Sequence, residues 1–385
     1  MAALAETAGP CSRAAALVGA LTKAGIETAT CAALDSNFKP VQGVYNYRLS
    51  VPMPLGMPPF IARHTFPLAQ KTGISSLKPV HSFEEVLFLT GNLAYPYIKK
   101  SVSDIRDAIR AFDPDIVYSE FNISAMLAAR LENRRLYATS SLPTRPEFAS
   151  SPRFSAGLRR FLKECSLPPV RSGLELFSYA DRQFVPSCEQ LEPLNGAIYC
   201  GAWKKPLSEP CDKPCDRILV YMGSGTISPK KSLRVIGAAF AGRECEICFA
   251  GREYGQKTFA KGKATIHTAP YFDFGKLLPG SMLFINHGGQ NSMTDGLLYG
   301  VPQLVCPGRV FERIYNARSL ADNGAGEFLP PGDFTPEKIF AAADAIMSDG
   351  TYRANAAALG KTLLSLGGID NVINAVRNDV SSGSR

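Results

Sequence analysis

The 385-residue sequence lacks any run of about 18 uncharged apolar residues, so no membrane span is expected. It also lacks the basic start, apolar centre and cleavage site of a secretory leader. Glu6, Arg13, Lys23 and Glu27 interrupt the short alanine runs instead, and a cytoplasmic location is the expectation. No tract is of low complexity, and 45% apolar with 20% charged residues is the balance of a globular protein. The formal charge of +8 comes without a recognised nucleic-acid motif, so no nucleic-acid partner is expected. That charge is uneven: Arg145, Arg153, Arg159, Arg160, Lys163 and Arg171 crowd one segment. There "RFSAGLRRFLKEC" could form a basic amphipathic helix for peripheral contact with an anionic membrane surface or an anionic acceptor. The ordinary reading is a solvated helix face.

Ten cysteines leave three readings. Disulfides are not expected in the cytosol. Cys211 and Cys215 with Cys245 and Cys248 have spacings within reach of a four-thiolate zinc site. However, Cys248 occupies a strand-like apolar position, and free cysteine is commonly a small core residue. No metal and no cofactor are expected.

The length suits roughly two domains. "AETAGPCSRAAALVGALTKAGIETATCAAL" reads as a very short strand, a Gly-Pro turn, a helix from about Ser12 to Ala24, and a strand to Ala32. Ala2 to Leu4 are expected to fill the place of that first strand at least partly. An irregular Pro-rich segment, Tyr45 to Gln70, could shape a pocket. Residues 82–112 look helical, and Asp113-Pro114-Asp115 turns into the buried strand ending at Glu120. "AWKKPLSEPCDKPCD" has linker composition. The boundaries expected are 1–203, a linker 204–216, 217–360, and a carboxyl-terminal helix within 361–385 that returns to the first domain. Alternating strands and helices predict parallel sheets with ligands beyond the carboxyl ends of strands.

The stretch "FINHGGQNSMTDGLLYGVPQLVCPG" is the most informative. An apolar strand runs into His287-Gly288-Gly289, and a helix follows at once. The glycines allow close approach of a ligand, Asn291 or Ser292 is expected to cap the helix, and its first N–H groups suit a phosphate. His287 can add a donor to a phosphate oxygen. The competing reading is an ordinary capped turn. "RILVYMGSGT" ends in a second glycine turn, Gly223 to Thr226.

These residues, with "ERIYNARSLADNGAG", resemble the donor-binding signature of the UDP-glycosyltransferase and macrolide-glycosyltransferase family. "GPCSRAAALVGALTKAGIETAT", "DPDIVYSEFNISAMLAARL" and "YCGAW" extend the similarity over most of the chain. The resemblance implies the GT-B fold: α/β, with two Rossmann-like parallel-sheet domains facing across a cleft. It implies an inverting, metal-independent transferase that moves a hexose from a UDP or dTDP sugar to a hydroxyl of a small-molecule or lipid-linked acceptor.

Carried over by position, His287, Gly288, Gly289, Asn291 and Ser292 would hold the diphosphate, with Ser224 and Thr226 opposite. Ala269 and Tyr271 would meet the base, and Glu312 and Arg313 the sugar. Where the family has a histidine base the chain has Pro10, and where it has the orienting aspartate the chain has Glu120. Glu120 could serve directly as the base if burial raises its pKa, or be a capping carboxylate; His64 and His81 are the other candidates. An auxiliary protein without transfer activity, or a nucleotide-sugar epimerase or hydrolase on the same scaffold, are the alternatives.

Overall fold

The structure is a computed structural model that describes residues 1–3, 8–33, 40–57, 79–208, 215–223 and 227–382. Leu4, His64, Cys211, Ser224 and Thr226 lie outside the described residues, as does much of the Pro-rich segment. The chain divides into two compact units, one built on Val80–Trp203 with the start of the chain and Leu366–Arg385, the other on Lys204–Ser365.

The first unit contains β1 (Ala2–Ala3), α1 (Ala8–Lys23), β2 (Ala29–Ala33), β3 (Tyr45–Leu49), α2 (Phe83–Leu89), α3 (Tyr95–Phe112), β4 (Ile116–Glu120), α4 (Ile123–Leu131), β5 (Arg135–Thr139), α5 (Ala156–Glu164), β6 (Arg182–Val185) and β7 (Ile198–Tyr199). Its strands form one parallel sheet in the order β3-β2-β1-β4-β5-β6-β7. Ile98, Val102, Ile105 and Ile109 recur at helical spacing along α3 and bury its inner face. Beside β1, a cavity of about 200 Å³ lies among Ile26, Ala29, Ile109, Val117 and Val376.

Three features differ from the sequence expectations. Residues 82–112 hold two helices, because Gly91 turns at φ 83° with Met53 so close that a Cβ there would sit 1.9 Å from its carbonyl oxygen. Tyr45–Leu49 is a parallel edge strand, which its mostly exposed side chains disguise as loop. The first long helix begins at Ala8, so Gly9 and Pro10 sit in its opening turn, where the missing proline N–H costs nothing.

The second unit contains β8 (Cys215–Tyr221), α6 (Pro229–Ala239), β9 (Cys245–Ala250), β10 (Lys257–Lys261), β11 (Ala264–Ala269), α7 (Phe274–Leu277), β12 (Ser281–Asn286), α8 (Gln290–Leu298), β13 (Gln303–Val305), α9 (Phe311–Asp322), β14 (Gly326–Phe328), α10 (Pro336–Ser348) and α11 (Gly350–Ser365). The sheet order is β10-β11-β9-β8-β12-β13-β14, parallel except for the hairpin of β10 with β11. Sequence reading missed β10, a polar edge strand turned back at Gly262 with φ 63°. Cys245 and Cys248 are buried in β9, and no cluster of metal-ligating side chains occurs among the described residues.

The chain then returns to the first unit with α12 (Asp370–Ser381). Val372, Ile373 and Ala375 pack with Leu17, Tyr137 and Phe184. Asp379 anchors this helix. It accepts from Arg182 Nε at 2.9 Å and Nη2 at 2.6 Å, and from the Tyr137 hydroxyl. The Arg182 hydrogen bonds hold its carboxyl well below the usual aspartate range. No helix among the described residues is long and apolar enough to cross a membrane.

Candidate functional site

In each sheet the strand order reverses once, and ligands of such sheets bind beyond the carboxyl ends at that reversal. In the second unit it falls between β8 and β12, whose last residues Tyr221 and Asn286 are register partners. Gly223 and His287 therefore leave the sheet side by side.

A side-chain network shapes the turn after β12. Asn286 accepts the Gly288 N–H at 2.8 Å and donates to Gln303 Oε1 at 2.7 Å. Gln303 donates to the Met293 carbonyl at 2.8 Å, and Asn316 donates to the Gly288 carbonyl at 2.9 Å. Gly288 adopts φ 79°, a region that favours glycine. Sequence reasoning passed over Asn286, Gln303 and Asn316, because the network that joins them runs between β12, β13 and α9.

The expected cap is corrected. Gly289, not Asn291 or Ser292, stands at the amino end of α8, and no side chain caps it. Gln290, Asn291 and Ser292 occupy the first turn, where helix N–H groups lack intrahelical partners. An anion is thus favoured there by both hydrogen bonding and the helix dipole. Lys204 contacts the Asn291 carbonyl at 3.4 Å and pairs with Asp295.

His287 is wedged between the two glycine turns. A Cβ at Gly289 would lie 2.6 Å from its Nε2, and one at Gly223 would lie 2.9 Å away. Its ring meets the Tyr221 ring edge-to-face at 5.4 Å, and Nδ1 lies 3.3 Å from the Tyr221 carbonyl oxygen. Burial and, second, the charge of Arg313 push its pKa down to about 3, against a smaller upward pull from that carbonyl.

The remaining donor candidates are spread around this turn. Tyr271 is 77% exposed, free to stack on a planar base, whereas Ala269 is buried and its carbonyl already accepts from Gly251 at 3.1 Å. Glu312 is exposed and Arg313 partly buried in the first turn of α9.

In the first unit the reversal lies between β1 and β4, where Ala3 and Glu120 are register partners. Glu120 is fully buried. Its Oε1 accepts from Arg13 Nε at 2.7 Å and its Oε2 from the Thr139 hydroxyl, to which Tyr118 donates at 2.8 Å. Burial raises the Glu120 pKa, with Arg13 and Thr139 opposing. The next residue, Phe121, is held at φ 59°, a strained conformation for a bulky side chain. Its ring packs on Phe83 and Phe177 and under the Arg13 guanidinium at 5.4 Å. Asn122 then caps α4 by accepting from Ala125 at 3.1 Å.

The other candidates stand apart. His81 is exposed, and its backbone N–H donates to Glu85. Asp113 ends α3 in a left-handed cap and pairs with Arg134. In the basic stretch, Arg159 donates to the carbonyls of Pro152 and Arg171, and Arg160 lies 4.0 Å from the centre of the Tyr95 ring.

Residues 244–376 match the family described as erythromycin biosynthesis protein CIII-like, carboxyl-terminal domain. Demethyllactenocin mycarosyltransferase of Streptomyces fradiae is 24% identical over 291 residues, which is 67% of this chain and 60% of that relative. The chain thus spans about three-fifths of the length of this curated relative. The solved glycotransferase of kitacinnamycin superposes with a TM-score of 0.72 at 16% identity, over 98% of this chain and 97% of that one. Spinosyn rhamnosyltransferase SpnG, solved with thymidine diphosphate, gives 0.66 at 15% identity over 94% and 95%. With two singly reversed Rossmann-like sheets and a superposition that runs over nearly the whole chain, the protein has the GT-B fold, and its residues 244–376 are similar to the erythromycin biosynthesis protein CIII-like carboxyl-terminal domain.

Proposed function

We propose that this protein is a glycosyltransferase that moves a hexose from a nucleotide diphosphate sugar to a hydroxyl of a small-molecule acceptor, with inversion and without a metal. The observation that carries the reading is the pair of glycine turns at the second sheet's reversal, which surround His287 and leave the start of α8 uncapped. Phosphate charge would be met by the α8 N–H groups and Arg313, supplying the fixed donors that stabilise a departing diphosphate. A dTDP sugar is the favoured donor, because the solved rhamnosyltransferase SpnG carries thymidine diphosphate. Tyr271, exposed and aromatic, is the residue we assign to stack on the base.

Inversion requires that the acceptor hydroxyl lose its proton while attacking the anomeric carbon from the face opposite the diphosphate. Glu120 is the group we assign to receive that proton. Burial makes its carboxylate more basic, and Arg13 and Thr139 fix its orientation. Pro10, together with the engagement of both Glu120 oxygens, favours a second reading, an auxiliary protein that binds the sugar nucleotide without transferring it.

Calorimetric titration with UDP, dTDP and GDP sugars in the presence of chelator tests the donor half. Selective binding of a dTDP sugar is the expected result, and silence across the panel would sink the proposal. Product formation with macrolide aglycones, followed by mass spectrometry, then separates the transferase from the auxiliary protein.

A further inference from the structure

We propose that His287 takes up one proton when the sugar nucleotide binds, so that the donor diphosphate is held by an imidazolium and donor affinity is linked to pH. The inference rests on the donor-site reading above and adds the protonation state of the ligand-binding group.

The argument begins with the two ring nitrogens. Nδ1 faces the Tyr221 carbonyl oxygen at 3.3 Å, and a carbonyl can only accept, so Nδ1 carries the hydrogen. A neutral imidazole has one N–H, which leaves Nε2 as a bare lone pair. This Nε2 points between Gly223 and Gly289, the two places where a side chain would collide with it. That gap adjoins the uncapped start of α8, where an anion is favoured.

A phosphate oxygen also offers only lone pairs, so the free-protein arrangement sets acceptor against acceptor. Moving the hydrogen from Nδ1 to Nε2 would transfer the same clash to the Tyr221 carbonyl. Adding a proton at Nε2 satisfies both contacts, and solvent or buffer supplies it; no covalent bond to the nucleotide forms or breaks.

Among the described residues, the charged or titratable groups facing the ring are Arg313 on α9 and the Tyr221 phenol on β8. Glu312 lies beside Arg313, and Lys204 and Asp295 near the start of α8 are paired with each other. In the free protein, burial and Arg313 keep the imidazole neutral; the diphosphate brings negative charges that outweigh Arg313. The sign follows: between the pKa of the free ring and that of the complex, the complex binds one proton more than the free protein, so affinity rises as pH falls and levels off only where the free ring is protonated as well.

The test is calorimetric titration of the full chain with dTDP-glucose and UDP-glucose at pH 6.5, in three buffers of different ionisation enthalpy. Sugar-linked nucleotides are used because a free diphosphate has a terminal phosphate that itself titrates near pH ~6. The expected slope corresponds to uptake of close to one proton, absent in His287→Gln, with affinity weakening up to about tenfold per pH unit between pH 6.5 and 8. Binding with no net proton exchange overturns the inference and leaves the donor site standing. Failure of both sugar nucleotides to bind overturns the donor reading and the inference together. If His287→Gln fails to fold, the buffer dependence of the unsubstituted protein decides alone.

Discussion

The two units repeat one plan and fill it differently. Each has a sheet with a single reversal, and each puts chemistry-bearing residues at the carboxyl ends of the paired strands there or just beyond them. In the first unit that place is occupied: Arg13, Glu120, Thr139 and Tyr118 satisfy one another in a buried chain of hydrogen bonds, and Phe121 is strained to close it. In the second, two glycines pack closely around a histidine beside a helix start that no side chain caps. The contrast teaches that one topology can serve as a rigid mount for a charged side chain or as a receptor for a charged ligand. Filling or emptying the reversal with side chains decides which.

The largest effect that would break the comparison is chemical. Glu120→Gln is expected to abolish transfer while leaving donor affinity nearly intact; unchanged turnover would remove Glu120 from the mechanism. Next comes the mount itself. Arg13→Met strands a buried carboxylate and should cost about 3–5 kcal/mol in urea unfolding. A loss below ~1 kcal/mol would show that the pair stays hydrated.

The receptor is tested more gently. Gly289→Ala places a Cβ against His287 Nε2, and His287→Ala removes the ring. Each should weaken sugar-nucleotide binding by about 1–3 kcal/mol in calorimetry, the scale of a lost charged hydrogen bond. Equal binding by all three proteins would make the turn merely structural.

The smallest effect concerns the clasp on α12. Asp379→Asn should cost about 1–3 kcal/mol at pH 7. Because the folded-state pKa of Asp379 is depressed, its contribution is present above the unfolded value near ~3.9 and lost as pH falls below it. The gap between wild type and variant in urea unfolding should therefore narrow progressively as pH falls below about 4, and a constant gap would contradict this assignment.

The open site was more legible than the closed one. His287-Gly288-Gly289 announces itself because strand, glycines and helix are contiguous, so local spacing carries the geometry. Arg13 and Glu120 lie 107 positions apart, and only the packing of α1 on β4 joins them. Asn286, Gln303 and Asn316 were invisible for a like reason: Asn286 pairs with Gln303 from β12 to β13, Asn316 reaches the Gly288 carbonyl from α9, and neither contact leaves a periodic trace. The edge strands β3 and β10 escaped because one-sided pairing lets polar residues dominate them. The helix start was read two residues late, because Gly289 takes the extended backbone of a cap without offering a side chain.

The return of the last helix has a consequence for the order of assembly. The second unit is built on Lys204–Ser365, so that stretch has all been synthesised before α12 emerges from the ribosome. The first unit has most of its sheet early but waits for Val372, Ile373 and Asp379 to complete its core and its clasp. At about 5–20 residues per second, the 182 residues from Trp203 to Arg385 take roughly 10 to 40 s to add. During that interval Leu17, Tyr137 and Phe184 lack their α12 partners. Of the two units, then, the one translated first is the one finished last, and it is the nascent chain's exposed surface that a chaperone would meet.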